Sequence, residues 1–120
     1  MALVKTQFEL NIGMDNNPLD HDGIVRHFNL NPELGVYFFA QGESEYQGKN
    51  ENTMHLVGHN TLRLSYLIQR IEELCVHMHQ ECIAMKYNGQ GIMVYNPNYS
   101  GDLIAFNPRY WIDKQPETFI

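Results

Sequence analysis

The sequence predicts an α+β domain in which an antiparallel sheet carries its helices on one face. Three observations lead to this fold class. Apolar and polar residues alternate from Val4 to Ile12, which is the period of a half-buried strand. The stretch after Asn60 repeats its apolar residues every three or four positions, as an amphipathic helix does. The remaining apolar runs give the order β-α-β-β-α-β-β, a ferredoxin-like variant of the split βαβ arrangement with one long and one short helix.

Five apolar runs between turn residues are predicted as strands: 4–12, 35–41, 52–58, 82–87 and 92–95. Leu103–Phe106 is a candidate for a further strand. The run Gly35–Gln41 is apolar on both faces, which is typical of a central strand or of a subunit contact. Residues 42–52 are charged and contain two glycines, so we expect a flexible turn there. Asn88–Gly91 has the composition of a hairpin turn.

Two segments are predicted as helices. A short one covers Gly23–Phe28, with Asp20 or Asp22 as its N-cap. The long one is capped by Asn60 or Thr61 and ends near Gln80. Its apolar stripe consists of Leu64, Leu67, Ile71, Leu74 and Met78.

Size and charge narrow the function classes. The 120 residues are expected to form a single domain, residues 1–120. Eight basic and fourteen acidic residues give a net charge of −6, which disfavours broad binding to DNA, RNA or anionic membranes. A small anion is still compatible, because one or two local arginines can outweigh a diffuse field. The N-terminus turns polar too early for a signal peptide and no run could span a membrane, so we expect a cytoplasmic protein.

The sequence contains no catalytic or metal-binding signature. Cys75, His79 and Cys82 would share one helix face, but a structural zinc site needs a second short-spaced ligand pair. We therefore expect two free thiols, no metal and no cofactor. No nucleophile elbow or phosphate loop is present. An enzyme is not expected, although a nucleotide-degrading enzyme with His55 or His59 as general base remains an alternative.

The C-terminal third combines the only tryptophan with tyrosines, asparagines and an isolated arginine. One interpretation is structural, with partly buried rings closing a small core and asparagines at turns. The other is a site for a small planar anion, in which rings stack on a base, asparagines read polar edges and Arg109 binds phosphate. On chemistry alone, Tyr95, Asn96 and Arg26 are further candidate ligand contacts, with Arg26 as a second cation.

Six short motifs are informative when taken together: Phe8–Gly13, Asn52-Thr53, Gln80–Ala84, Gly89–Gly91, Asn96-Pro97 and Phe106–Tyr110. They resemble a family of small phage proteins, the first-described type of anti-Thoeris sponge. The resemblance implies a non-enzymatic protein that sequesters cyclic ADP-ribose isomers made by bacterial TIR-domain defence proteins. It also implies homo-oligomers whose ligand sites involve more than one subunit, in the cytoplasm of a bacterial host cell.

The resemblance assigns ligand contacts to Phe106, Asn107 and Arg109, which fall in the C-terminal motif. The predicted partner is thus a small nucleotide-derived ligand, either a cyclic ADP-ribose isomer or a cyclic oligonucleotide. The alternative from a different class is a small protein-interaction or assembly module. Its interface anchors would be Tyr37, Phe39, Tyr110 and Trp111.

Overall fold

The computed structural model describes residues 4–107 and Trp111. The strands are β1 (Thr6–Gly13), β2 (Val36–Tyr46), β3 (Lys49–Asn60), β4 (Cys82–Tyr87) and β5 (Gln90–Tyr95). The helices are α1 (His21–Asn29), between β1 and β2, and α2 (Leu64–His77), between β3 and β4. A single 3₁₀ turn, Pro32–Leu34, precedes β2. The predicted fold class is confirmed, since the chain is α+β with the elements in the expected sequence.

The five strands form one antiparallel sheet in the order β2-β3-β1-β4-β5. β1 is central and pairs with β3 along its whole length, from Thr6 opposite Asn60 to Gly13 opposite Thr53. Its other side pairs with β4. This register places His55 beside Asn11 in the middle of the sheet. The two edges are β2 and β5.

Both helices pack on one face of the sheet, as predicted. Phe8, Leu10 and Ile12 alternate along β1 towards this face and have no exposed surface. They share a core cluster with residues of both helices: Ile24 and Phe28 of α1, and Leu67, Ile71, Leu74 and Cys75 of α2. Burying each large apolar side chain contributes about 1.5–3 kcal/mol. The opposite face of β1, which carries the buried polar residues Glu9 and Asn11, therefore does not contribute to this core.

The helix boundaries confirm one predicted cap and correct the other. The Asp20 side chain accepts a hydrogen bond of 2.8 Å from the backbone N–H of Gly23 at the start of α1. α2 begins at Leu64 without a side-chain cap, so the prediction of Asn60 or Thr61 was wrong. Asn60 belongs to β3, and its amide donates to the carbonyl of Leu34 at 2.8 Å. α2 ends at His77, three residues before the predicted end.

The flexible turn predicted at 42–52 is instead a continuous β-hairpin. β2 and β3 pair in sequence out to Tyr46 opposite Lys49, and only Gln47 and Gly48 form the turn. Both turn residues have positive φ, 52° and 79°, and such turns match the twist of the two strands. The charged residues are tolerated because β2 is an edge strand with one side open to solvent. The central position considered for this strand was therefore wrong, and the subunit contact stays a prediction.

Leu103–Phe106 is not a strand, contrary to the prediction. The segment from Asp102 to Asn107 has no regular structure. It is held by side chains: the Tyr95 hydroxyl donates to the carbonyl of Ile104 at 2.8 Å and also accepts from the Ile104 N–H. Phe106 packs so closely on Gly91 of β5 that a Cβ atom there would overlap its ring. No helix in the described part of the chain has the length and apolarity needed to cross a bilayer.

Candidate ligand-binding pocket

A pocket of about 420 Å³ lies where β1 ends, the β2–β3 hairpin turns and β4 begins. We call it the hairpin pocket. Its lining includes Asn11, Ser44 and Thr53 of the sheet, which we call the floor, and the segment from His79 to Cys82, which we call one wall. Phe106 and Asn107 close another side. This volume is within the usual range for small-molecule sites.

The pocket floor offers hydroxyl and amide groups. The Ser44 and Thr53 hydroxyls are 2.6 Å apart, and the Thr53 hydroxyl also donates to the carbonyl of Glu51 at 3.1 Å. Thr53 is 2% exposed, which fixes its side chain within the sheet. Asn11 is 6% exposed and lies on the same face of the adjacent strand. A few well-placed polar groups of this kind orient a bound ligand.

Behind the floor, Asn11 belongs to a buried polar cluster. Its amide oxygen lies 2.9 Å from Nδ1 of His55. Nε2 of His55 lies 3.5 Å from a carboxylate oxygen of Glu9. His55 has no exposed surface, and the rings of Phe38 and Trp111 pack edge-on against its imidazole. The contact with the buried His55 ring therefore restricts the orientation of the Asn11 side chain.

The lining of the pocket is acidic, with the carboxyl groups of Asp15, Glu51 and Glu81 among its residues. Burial raises the pKa of the Glu51 carboxyl, and the nearby charges of Asp15 and Glu81 raise it further. The Tyr46 hydroxyl donates to Glu81 at 2.7 Å, and burial together with this hydrogen bond raises the pKa of Tyr46. Burial also raises the pKa of the Cys82 thiol to about 11, so this group is protonated at neutral pH.

Two of the predicted site residues, Phe106 and Asn107, line the pocket together. The position of the Phe106 ring is fixed by two contacts. The ring packs on Gly91, and its centroid lies 5.6 Å from that of Trp111. Arg109 lies outside the described residues, and so does Tyr110, one of the proposed interface anchors.

Three other predicted ligand contacts lie outside the pocket lining, and two of them have structural partners. The Tyr95 hydroxyl holds Ile104, and its ring stacks on Tyr99 at 5.4 Å. The Asn96 amide donates to the backbone carbonyl of Gln80 at 3.1 Å, while its oxygen accepts from the backbone N–H of Asn98. Arg26 is exposed on α1, on the helix side of the sheet. None of these three lines the hairpin pocket, and that they contact a ligand stays a prediction.

Several lining residues were missed by sequence reasoning, namely Asn11, Ser44, Thr53, Glu51 and Gln80. Only Asn11 carried a signal, because it is a polar residue on the non-core face of a predicted strand. The hairpin residues gave none, since their segment was taken for a turn. Their approach to β1 and β4 depends on pairing between strands that are distant in sequence.

The histidines and cysteines considered for chemistry are dispersed. Within residues 4–107 and Trp111, no three His, Cys, Asp or Glu side chains come together in a way that could hold a metal ion. Cys75 is a buried free thiol whose pKa burial raises to about 12, and Cys82 is also free. His55 is enclosed, and His59 is exposed beside Tyr37, with ring centroids 5.1 Å apart.

Comparison with known proteins assigns this chain to no family. No protein-family model matches the chain, and no curated protein matches it. Among solved structures, one described as a phage SAM lyase in the apo state is similar, with 11% sequence identity and a TM-score of 0.47. The similarity covers 80% of this chain and 91% of that one. A likeness at this level says nothing about what the hairpin pocket binds.

Proposed function

We propose that this chain is a non-enzymatic phage anti-defence protein that binds a nucleotide-derived signal in the hairpin pocket and sequesters it unchanged. The observation that carries the proposal is that Phe106 and Asn107, from the motif that resembles the sponge family, line one pocket with the polar floor. An aromatic ring and a few amide and hydroxyl groups are suited to a base and its sugar.

The potential nucleophiles and bases in and near the pocket favour binding over catalysis. The Ser44 hydroxyl has the Thr53 hydroxyl as its hydrogen-bond partner, which is not a base that would activate it. The Cys82 thiol, with a pKa of about 11, is not a ready nucleophile at neutral pH. His55, considered above as a general base, is closed off behind Asn11. The proposed ligand is a cyclic ADP-ribose isomer, with a cyclic oligonucleotide as the second ligand to test.

A calorimetric titration with cyclic ADP-ribose tests the proposal. We expect binding by the unaltered protein and a loss of about tenfold or more in affinity for Phe106→Ala, because stacking is worth about 1–3 kcal/mol per base. Leu103→Ala is the matched control, since Leu103 lies in the same segment but is 74% exposed. Equal affinities of the two variants, or no binding of cyclic ADP-ribose and of cyclic oligonucleotides, would contradict the proposal.

An assembly module is the second candidate, favoured by the open edge of β2. Tyr37 is 43% exposed on this edge strand. Exposed edge strands can pair with another chain. The other proposed anchors are less accessible: Phe39 packs against the core, and Trp111 contacts His55 and Phe106. The two candidates are compatible, because the sponge resemblance also implies a homo-oligomer.

A further inference from the structure

The hairpin pocket has an excess of negative charge. Its lining includes the carboxylates of Asp15, Glu45, Glu51 and Glu81 but the ammonium group of Lys49 alone among Lys and Arg side chains of the described residues. The carboxylates are close enough to influence each other, since Asp15 and Glu81 both raise the pKa of Glu51. Such a pocket repels an anionic group and attracts a cationic one.

A second observation points to a ligand with hydrogen-bond donors, bound beside Gln80 in the same pocket. The Gln80 side chain is 8% exposed, and its amide nitrogen donates to the carbonyl of Met78 at 3.0 Å. Its amide oxygen accepts no hydrogen bond from the residues that the structure describes, and Gln80 lines the pocket. A buried polar side chain normally has its hydrogen-bonding capacity satisfied. The Gln80 oxygen is therefore an acceptor at the surface of the pocket, where water or a bound molecule can reach it.

The acceptors of Gln80 and Glu51 converge over Gly13. A Cβ atom on Gly13 would overlap Oε1 of Glu51 and would lie 2.8 Å from Oε1 of Gln80. Two acceptor oxygens that approach the same point, one of them a carboxylate, are complementary to a group that carries both N–H donors and positive charge. The absence of a side chain at Gly13 keeps this corner open.

We propose that the hairpin pocket recognises a positively charged nitrogen heterocycle whose N–H groups donate to the Glu51 carboxylate and the Gln80 carbonyl oxygen. This rests on the proposed function, since it specifies the base portion of the ligand bound there. Phe106 lines the same pocket, and an aromatic ring is a favourable neighbour for a cation. Phosphate groups of such a ligand lie away from this wall, because the carboxylates would repel them.

A pair of nucleosides separates this inference from the proposed function. Adenosine is neutral at pH 7, whereas 1-methyladenosine has nearly the same shape and carries a positive charge. We expect 1-methyladenosine to bind at least about tenfold more tightly in calorimetry, with an advantage that shrinks as salt is raised. Equal binding of the two nucleosides, or tighter binding of AMP than of 1-methyladenosine, would overturn the inference and leave nucleotide capture standing. Failure of all three and of cyclic ADP-ribose would overturn both.

Matched variants test whether the preference for 1-methyladenosine depends on Glu51 and Gly13. Glu51→Gln is expected to remove most of the preference for 1-methyladenosine, whereas Glu43→Gln makes the same change in an exposed residue of β2 outside the pocket lining and should keep it. Gly13→Ala should weaken binding of 1-methyladenosine about tenfold by displacing both acceptors, while circular dichroism confirms a folded chain. An unchanged preference in Glu51→Gln, or unchanged binding of 1-methyladenosine in Gly13→Ala, would refute the assignment.

Discussion

At the scale of single residues, Glu51 links the pocket to stability. Burial and the charges of Asp15 and Glu81 disfavour its ionised form in the folded protein, so its pKa is raised. The folded state then binds this proton more tightly than the unfolded state, and stability falls as the pH rises from the ordinary carboxyl pKa through the raised one. Such strain at a binding site is a usual cost of function.

Glu51→Gln is therefore predicted to melt at a higher temperature than the unaltered protein at pH 7. The difference should vanish as the pH is lowered below the ordinary carboxyl pKa, where Glu51 is protonated in both states. Glu33→Gln should show the opposite sign above that pH, because hydrogen bonds from the backbone and from Arg70 lower the pKa of Glu33. Melting curves measured across this pH range check both signs, and a Glu51→Gln protein that is less stable at pH 7 would contradict the account.

His55 is the second residue whose environment makes a prediction. Its imidazole is fully buried and its Nδ1 lies 2.9 Å from the Asn11 amide oxygen, so truncation leaves a cavity and removes a partner from a buried polar group. We expect His55→Ala to lower the free energy of unfolding by about 2–5 kcal/mol in chemical denaturation. His59→Ala, at an exposed position four residues further along β3, should change it by less than about 0.5 kcal/mol. Similar values for the two variants would show that the buried cluster is not structural.

At the scale of elements, the segment that carries Phe106 depends on close packing against β5. A side chain at Gly91 would overlap the Phe106 ring, so Gly91→Ala must displace the segment. We predict weaker cyclic ADP-ribose binding and a shift in the fluorescence of Trp111, the only tryptophan, which contacts Phe106. Gly89→Ala is the control, because the added methyl group meets no atom within 4 Å, although the positive φ of Gly89 disfavours any side chain. Unchanged fluorescence in Gly91→Ala would contradict this packing.

Elements also differ in how far the sequence predicted them. The alternation in β1 and the three-to-four spacing in α2 reflect burial on one face, and both elements were found where these local patterns indicated. β4 was predicted with its observed bounds, Cys82–Tyr87. The strand pairing within residues 42–52 was missed because glycine and charge are compatible with a turn as well as with an edge strand. Leu103–Phe106 was wrongly predicted as a strand, since a hydroxyl of the distant Tyr95 holds it instead.

The candidate site was less predictable than the fold for the same reason. Phe106 and Asn107 came from a motif, whereas Glu51, Gln80 and Gly13 come together only through the register of β1 with β3 and the path of the chain into β4. Tyr95 and Asn96 have side chains suited to ligand contacts, but in this fold those side chains satisfy nearby backbone groups. The type of residue alone does not distinguish a side chain that binds a ligand from one that hydrogen-bonds to the backbone.

At the scale of the whole molecule, the open edge of β2 bears on assembly. If copies of the chain associate along this edge, a charge near the start of β2, on its exposed surface, should weaken pairing. We predict that Tyr37→Lys lowers the oligomer mass measured by light scattering. Tyr66→Lys is the matched control, because Tyr66 is equally exposed, at 43%, but lies on α2. An oligomer that persists in Tyr37→Lys would place the contact elsewhere.

The central claim is that the protein holds a nucleotide-derived ligand in the hairpin pocket without altering it. Native mass spectrometry after incubation with cyclic ADP-ribose, followed by heat release and exact-mass measurement, tests this directly. We expect a retained ligand of unchanged mass and reduced occupancy in Phe106→Ala. A released molecule of different mass would show catalysis, and full occupancy in Phe106→Ala would show that the ligand binds outside this pocket.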